Sequence, residues 1–156
     1  MPSDLRTELQ QKKPFGSLYQ EAFLNIARTE AVLGDALDRV LAPHELSATQ
    51  YNVLRMLRGA GPDGLCRNEI RDRLITRMPD VTRLLDRMED AGLISRVRSE
   101  EDRRLVHTQL TKKGFALVEK LDDAIAAEHK RQLGHLSREQ LKTLIELLTL
   151  ARQSES

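Results

Sequence analysis

"PDVTRLLDRMEDAGLISRVRSEEDRRLVHTQLTKKG", residues 79–114, has the most regular pattern in this 156-residue sequence. In its first part, apolar residues recur at the i, i+3, i+4, i+7 spacing that places them on one face of a helix: Val81, Leu84, Leu85 and Met88. We expect this helix to span residues 77–91. Thr76 can cap its start, Pro79 is tolerable in its first turn, and Gly92 is placed to end it.

Two segments that alternate apolar and polar residues follow the helix. They are "LISRVR" at 93–98 and "LVHTQL" at 105–110, and they flank the charged run "SEEDRR". Alternation with a period of two on either side of a short polar run is typical of two paired strands. The sequence therefore predicts a β-hairpin with a charged, exposed tip.

Upstream of this stretch, the pattern predicts further helices. Apolar residues at helical spacing run from Leu18 to Leu41, and Pro43 ends that segment. A serine followed three residues later by glutamine forms a capping box, and this signature predicts helix starts at Ser47 and Ser137. A short helical piece follows at 67–74. Helix, helix, connector, helix and hairpin is the order of a winged helix-turn-helix, so we predict a mainly α fold with a small β-hairpin wing.

Composition excludes several classes of protein. Charged residues make up 31% of the chain, and no stretch approaches the roughly 18 uninterrupted apolar residues that a membrane span needs, so we expect a cytoplasmic protein without a membrane partner. Three Phe, two Tyr and no Trp are too few for a stacking platform on single-stranded nucleic acid. The net charge of the chain is only +1, so a protein of this sequence could bind duplex DNA only if the fold gathers its positive side chains on one surface. No catalytic or metal-binding motif is present, so we expect neither an enzyme nor a cofactor.

The 79–114 stretch carries a family signature. An Asp-x-Arg, a following apolar strand that ends in Leu-Thr, and a glycine three residues later stand here as Asp102, Arg104, Leu110, Thr111 and Gly114. Together with "VTRLLDRMEDAGLISR", these residues make the chain from about 46 to 114 resemble the MarR family of bacterial winged-helix transcriptional regulators. The resemblance implies a regulator of transcription, most often a repressor, that small phenolic or anionic ligands release from DNA.

The outward face of the predicted recognition helix supplies candidate DNA contacts. Arg83 can bind guanine through two hydrogen bonds, and Thr82 can contact phosphate or a thymine methyl group. Arg77, near the helix start, suits a phosphate. Arg87 has two alternatives of equal weight: a contact with the DNA backbone, or an ion pair with the acids at 100–102 in the wing.

The predicted wing tip supplies the other candidates. The resemblance implies that Arg104 enters the minor groove, and we expect the Asp102 carboxylate to hydrogen-bond the Arg104 guanidinium and so direct it. Arg103 suits a phosphate contact. The alternative for this charged run is a solvated turn, in which surface ion pairs are worth under about 1 kcal/mol.

The terminal segments exceed what a single winged-helix lobe needs. The last helix, with Leu144, Leu147, Leu148 and Leu150 spread around more than one face, must be buried on several sides. We expect a homodimer on a pseudo-palindromic site, because two DNA half-sites related by two-fold symmetry are matched by a protein dimer with the same symmetry. The expected division is an N-terminal dimerisation helix at 1–42, the DNA-binding lobe at 43–113, and C-terminal helices at 114–156 that complete the dimerisation region. A larger monomeric helical bundle is the alternative.

Three further hypotheses concern function. If a ligand binds between the dimer region and the lobe, Phe23, Tyr51 and Met56 are candidates to contact it. Cys66, the single cysteine, is either a peroxide-sensing thiol or, as we favour, a small half-buried residue. The fold could also serve as a protein-interaction module without DNA binding, in which case Arg83 and Arg104 would be dispensable.

Overall fold

The computed structural model describes residues 4–153. Its α-helices are α1 (Leu5–Glu8), α2 (Leu18–Leu41), α3 (Ala48–Ala60), α4 (Arg67–Arg73), α5 (Val81–Asp90), α6 (Lys112–Leu133) and α7 (Arg138–Arg152). Short 3-10 turns follow α2 and α3, and the strands are β1 (Leu65–Cys66), β2 (Ile94–Arg98) and β3 (Val106–Leu110). The predicted order of helix, helix, connector, helix and hairpin is confirmed.

Local capping explains where most helices begin. The Ser47 and Ser137 hydroxyls each accept the N–H of the glutamine three residues later, at 3.1 Å in both cases, and each glutamine side chain returns a hydrogen bond to the serine N–H. Both predicted capping boxes are confirmed. Helix α2 ends at Leu41, where a 3-10 turn with Pro43 in its first positions takes over, because proline cannot continue the α-helical hydrogen-bond pattern.

The predicted start of the recognition helix is wrong. Helix α5 begins at Val81, and the carboxylate of Asp80 caps it by accepting the N–H of Arg83 at 3.3 Å. Thr76 and Pro79 therefore lie in the loop before the helix. The physical reason is that Pro79 disfavours the helical conformation at the preceding residue, so a helix cannot run through this position. The predicted end is confirmed, since Gly92 follows the helix with φ +74°.

The predicted hairpin is confirmed, and a third strand joins it. The sheet order is β1-β3-β2 with antiparallel pairs, so Thr108 lies opposite both Leu65 and Arg96. Strand β1 is only two residues long and was not predicted. It can approach β3 because Gly64 has no side chain: a Cβ there would lie 2.2 Å from the Thr108 carbonyl oxygen.

The core of the lobe lies between helices α3 to α6 and the sheet. The face predicted for α5 is buried, and it packs with α3, α4 and α6 residues that include Leu54, Ile70 and Leu121. The outer helices differ, because α7 buries none of its residues and Ile145 is 65% exposed. No helix between residues 4 and 153 is long and apolar enough to cross a membrane.

Candidate nucleic-acid interface

Helix α5 presents the predicted DNA-contacting residues on its first turns. Thr82 is half-buried and Arg83 is exposed, with the Arg83 Nε atom 3.4 Å from Asp80. Arg67, at the start of α4, donates to the Thr82 hydroxyl at 3.3 Å. The sequence pattern does not predict a role for Arg67, because only the packing of α4 against α5 brings residues fifteen positions apart into contact.

Arg77 lies in the loop between α4 and α5 rather than on the helix. It is exposed, three residues before the capping Asp80. It therefore precedes the first turn of α5, which begins at Val81. A cation on an exposed loop still suits a phosphate, which requires charge more than geometry.

An ion-pair network joins the recognition helix to the wing, and Arg87, for which a pair with the wing acids was one of two alternatives, takes no part in it. Arg87 is exposed, and no ion pair links it to Glu100, Glu101 or Asp102 within residues 4–153. Arg96 of β2 makes the connection instead, through Asp86 at 2.6 Å and Glu89 at 3.0 Å. The hydrogen bonds from Arg96 hold the pKa of Glu89 below its usual value, and the two carboxylates raise the pKa of Arg96.

The wing tip is a network of hydrogen bonds to backbone groups. The Asp102 carboxylate accepts the backbone N–H of Arg104 at 3.0 Å. No ion pair joins it to the Arg104 guanidinium within residues 4–153, so the predicted bond to that group is wrong. The reason is proximity, because a short aspartate side chain reaches a backbone N–H two residues on more readily than a flexible guanidinium. Asp102 thus fixes the direction in which residue 104 leaves the turn.

Two further residues hold this turn, and neither was predicted. The Ser99 hydroxyl accepts the N–H groups of Glu101 and Asp102, both at 3.2 Å. Arg98 donates to the carbonyl oxygen of Arg103 at 3.0 Å. The turn is thereby held at both ends while the side chains of residues 103 and 104 stay exposed.

The recognition helix and the wing border one cavity of about 370 Å³. Its wall includes Arg67 and Thr82 from the helices and Arg96 and Arg104 from the wing. Arg96 is paired with Asp86 and Glu89, so Arg67 and Arg104 supply the positive charge of this wall, although the net charge of the chain is only +1. Positive charge is therefore concentrated where the two elements meet, as binding to duplex DNA requires.

Cys66 also borders this cavity, and it is half-buried as expected. Its backbone N–H, which precedes α4, donates to Glu69 at 2.8 Å and lowers the pKa of that carboxylate. No group of three His, Cys, Asp or Glu residues that could hold a metal ion occurs within 4–153.

The three candidate ligand residues differ in how deeply they are buried. Tyr51 is buried in the core, and the loss of solvent raises its pKa. Met56 packs against the same core, whereas Phe23 is 69% exposed on α2. None of the three borders the cavity at the wing.

Comparisons with known proteins agree with this geometry. The family model of the MarR family matches residues 46–106, from the turn before α3 to the start of β3. The transcriptional regulator PecS of Dickeya dadantii is 33% identical over 79% of this chain and 75% of its own length. A MarR transcription factor from Planctomyces limnophilus is 43% identical, with 88% of this chain and 99% of that chain covered and a TM-score of 0.67.

The chain belongs to the MarR family. Members of this family are regulators of transcription that bind DNA. A solved complex of MepR from S. aureus with DNA is 26% identical to this chain, covers 91% of it and 100% of its own length, and has a TM-score of 0.76. The matched segment of the MarR model contains α4, α5, β2 and the wing turn with Arg104, all of which contribute residues to the arginine-lined cavity or lie beside it.

Proposed function

We propose that this protein is a homodimeric repressor that binds a pseudo-palindromic operator and is released by a small ligand. The observation that carries the proposal is the joint placement of the α5 face and the wing arginine around one cationic cavity. In this proposal Thr82 and Arg83 contact base edges, and Arg104 enters the adjacent minor groove. Arg77, Arg87 and Arg103 bind phosphates, which position the lobe without selecting a sequence.

Exposed apolar surface supports the homodimer. On α2, Leu18 and Tyr19 are 81% and 89% exposed, and α7 leaves Ile145 and Leu147 more than half exposed. Large apolar side chains in such numbers mark a surface that another chain covers. We infer that residues 1–42 and 114–156 form the dimerisation region, and that 43–113 forms the lobe that each protomer places on one half-site.

The operator proposal is tested by selecting bound sequences from random duplex DNA with the wild-type protein. We expect the selection to enrich a motif with two-fold symmetry. As the salt concentration rises, the protein should keep a preference for this motif over other DNA, which a purely electrostatic complex would not show. Arg103→Ala should weaken binding to all sequences and lower the salt slope by about one unit. Arg131→Ala, on α6, is the matched control and should leave both unchanged. Selection without any enriched motif contradicts the proposal.

A second cavity supports the proposal that a small ligand releases the protein from its operator. It measures about 500 Å³, a size typical of small-molecule sites, and lies between the end of α3, the end of β3 and the start of α6. Leu57, Leu110 and Phe115 give it an apolar wall. Arg58 in its lining is already paired with Asp122 at 2.6 Å, so Lys112 supplies the positive charge. An apolar surface beside a cation favours an amphipathic anion, so we infer that the ligand is a small aromatic acid.

Salicylate and its uncharged analogue salicylamide test this site. We expect salicylate to release operator DNA at lower concentration than salicylamide, and Lys112→Met to reduce that difference. Lys130→Met, farther along the same helix, is the matched control. Equal potency of the two compounds on wild-type protein would show that charge plays no part in ligand binding here.

A further inference from the structure

Arg96 makes the most extensive side-chain network of the lobe. It lies in the middle of β2 and its side chain is only 27% exposed. Its Nη2 atom donates to Asp86 at 2.6 Å and to Glu89 at 3.0 Å, and its Nε atom donates to Glu89 at 3.2 Å. Both acids belong to α5, three residues apart on one face of the helix, so a single planar guanidinium holds two points of the recognition helix.

This connection adds a directional restraint to the apolar packing of α5. The buried face of α5 meets the core through aliphatic side chains, and apolar contact has no preferred direction. Even a small rotation of the helix about its axis would change where Thr82 and Arg83 point. Charge-assisted hydrogen bonds from a planar donor are directional, and they resist that rotation.

The same strand also holds the wing tip. Arg98, two residues after Arg96 and on the same face of β2, donates to the carbonyl oxygen of Arg103 at 3.0 Å. Helix α5, the middle of β2 and the turn that carries Arg104 are thereby joined through two arginines of one strand. These bonds form a continuous path of directional contacts from the helix to the wing.

We propose that Arg96 is a positioning residue that fixes α5 relative to the wing, and so couples base contacts in the major groove to the contact of Arg104 in the minor groove. The inference rests on the proposed function, in which those two elements bind DNA. According to this inference, sequence selectivity depends on Arg96 even though Arg96 itself contacts neither groove of the DNA.

Stability alone is a weak reason for this network. Ion pairs that are partly exposed, as these are, contribute little to the free energy of unfolding. The two acids also place negative charge on the helix that approaches DNA, which opposes binding to phosphate. If neutralisation were the only role of Arg96, removal of an acid would tighten binding to every sequence. A positioning role predicts a different result for the selected sequence.

The first experiment uses Asp86→Asn and Glu89→Gln and measures affinity for the selected operator and for unrelated duplex DNA of the same length. We expect the ratio of the two affinities to fall about tenfold, with weaker operator binding and equal or tighter binding to unrelated DNA. Equal tightening on both DNAs would overturn the proposal, because it would show that the network only balances charge. An unchanged ratio would overturn it as well.

The second experiment changes the spacing within the DNA. One base pair is inserted between the position that Arg83 contacts and the tract beneath the wing. Wild-type protein should lose at least tenfold in affinity, whereas Arg96→Met should lose less than threefold, because its helix and wing are no longer held together. Arg96→Lys should behave like Arg96→Met, since an ammonium lacks the planar fork. Full spacing selectivity in Arg96→Lys would contradict the geometric part of the proposal.

Controls separate this inference from the proposed function. Arg131→Met removes the ion pair of Arg131 with Glu128 on α6 and should keep the spacing selectivity of wild type. Circular dichroism and thermal unfolding establish that each variant is folded, and the two acid variants supply the test if Arg96→Met is not. Wild-type protein without sequence selectivity would refute the proposed function. Selective wild type together with equally selective variants would refute the role of Arg96 alone.

Discussion

Gly114→Ala is expected to destabilise the lobe, although alanine is the better helix former. Gly114 is buried in the first turn of α6, where it packs against the turn that joins α5 to β2. An added Cβ would lie 2.1 Å from the Leu93 carbonyl oxygen, and Cβ contacts under 3.0 Å essentially do not occur. The two backbones must therefore separate by about 0.9 Å.

The cost of this separation follows from the hydrogen bonds at the junction. The Leu93 carbonyl accepts the N–H of Thr111 at 3.1 Å, and the Thr111 hydroxyl donates to the Gly92 carbonyl at 2.6 Å. Disruption of hydrogen bonds at a packed junction costs about 1–3 kcal/mol for each group left unsatisfied. The higher helix propensity of alanine adds about 0.5–1 kcal/mol to the free energy of unfolding and so offsets part of this cost. If both bonds are disrupted, we expect a net loss of about 1–5 kcal/mol in the free energy of unfolding.

Urea unfolding followed by circular dichroism measures this loss, with all variants at one protomer concentration because dimerisation affects stability. Gly59→Ala is the matched control: Gly59 is exposed on α3, and a Cβ there would meet nothing within 4 Å. That variant should gain up to about 1 kcal/mol. A Gly114→Ala protein as stable as wild type would refute the reasoning, because the junction would then accommodate the methyl group without loss.

Four other outcomes are expected. Arg83→Ala should weaken operator binding by about 1–3 kcal/mol and relax one base position per half-site; an unchanged selected motif would contradict this. Asp102→Ala frees a backbone N–H of the wing turn and should reduce the effect of replacing A·T pairs beneath the wing, whereas tighter binding would show that the carboxylate acts only through its charge. A chain that ends before Leu141 should sediment as a monomer with weak operator binding, and a persistent dimer would place the interface on α2 alone. Because Arg96 lowers the pKa of Glu89 in the folded state, the stabilisation from this pair is present above the ordinary glutamate value of 4.5 and is lost as the pH falls through the lowered pKa. The stability difference between wild type and Glu89→Gln should therefore shrink on acidification, as thermal unfolding at several pH values would measure.

Features that depend on residues close together in the sequence could be predicted from the sequence alone. Capping boxes at Ser47 and Ser137 involve residues three positions apart, so their helix starts were predictable. Apolar periodicity identified the buried face of α5, and alternation identified the hairpin. The signature from Asp102 to Gly114 indicated the family through the identity and spacing of its residues. The predicted start of α5 is wrong because a threonine cap at 76 cannot overcome the restriction that Pro79 places on the preceding residue.

Features that depend on residues distant in the sequence were decided only by the tertiary structure. Strand β1 has two residues, too few for a periodic pattern, and it exists because β3 supplies its hydrogen-bond partners. Charged residues make up 31% of the chain and offer many possible ion pairs, and only packing selects Arg96 rather than Arg87 as the link between α5 and the wing. The partner of Asp102 was decided likewise by the path of the turn. Local hydrogen bonds and periodicity act along the chain and can be read from it, whereas the choice among equivalent charged partners depends on which segments the core brings together.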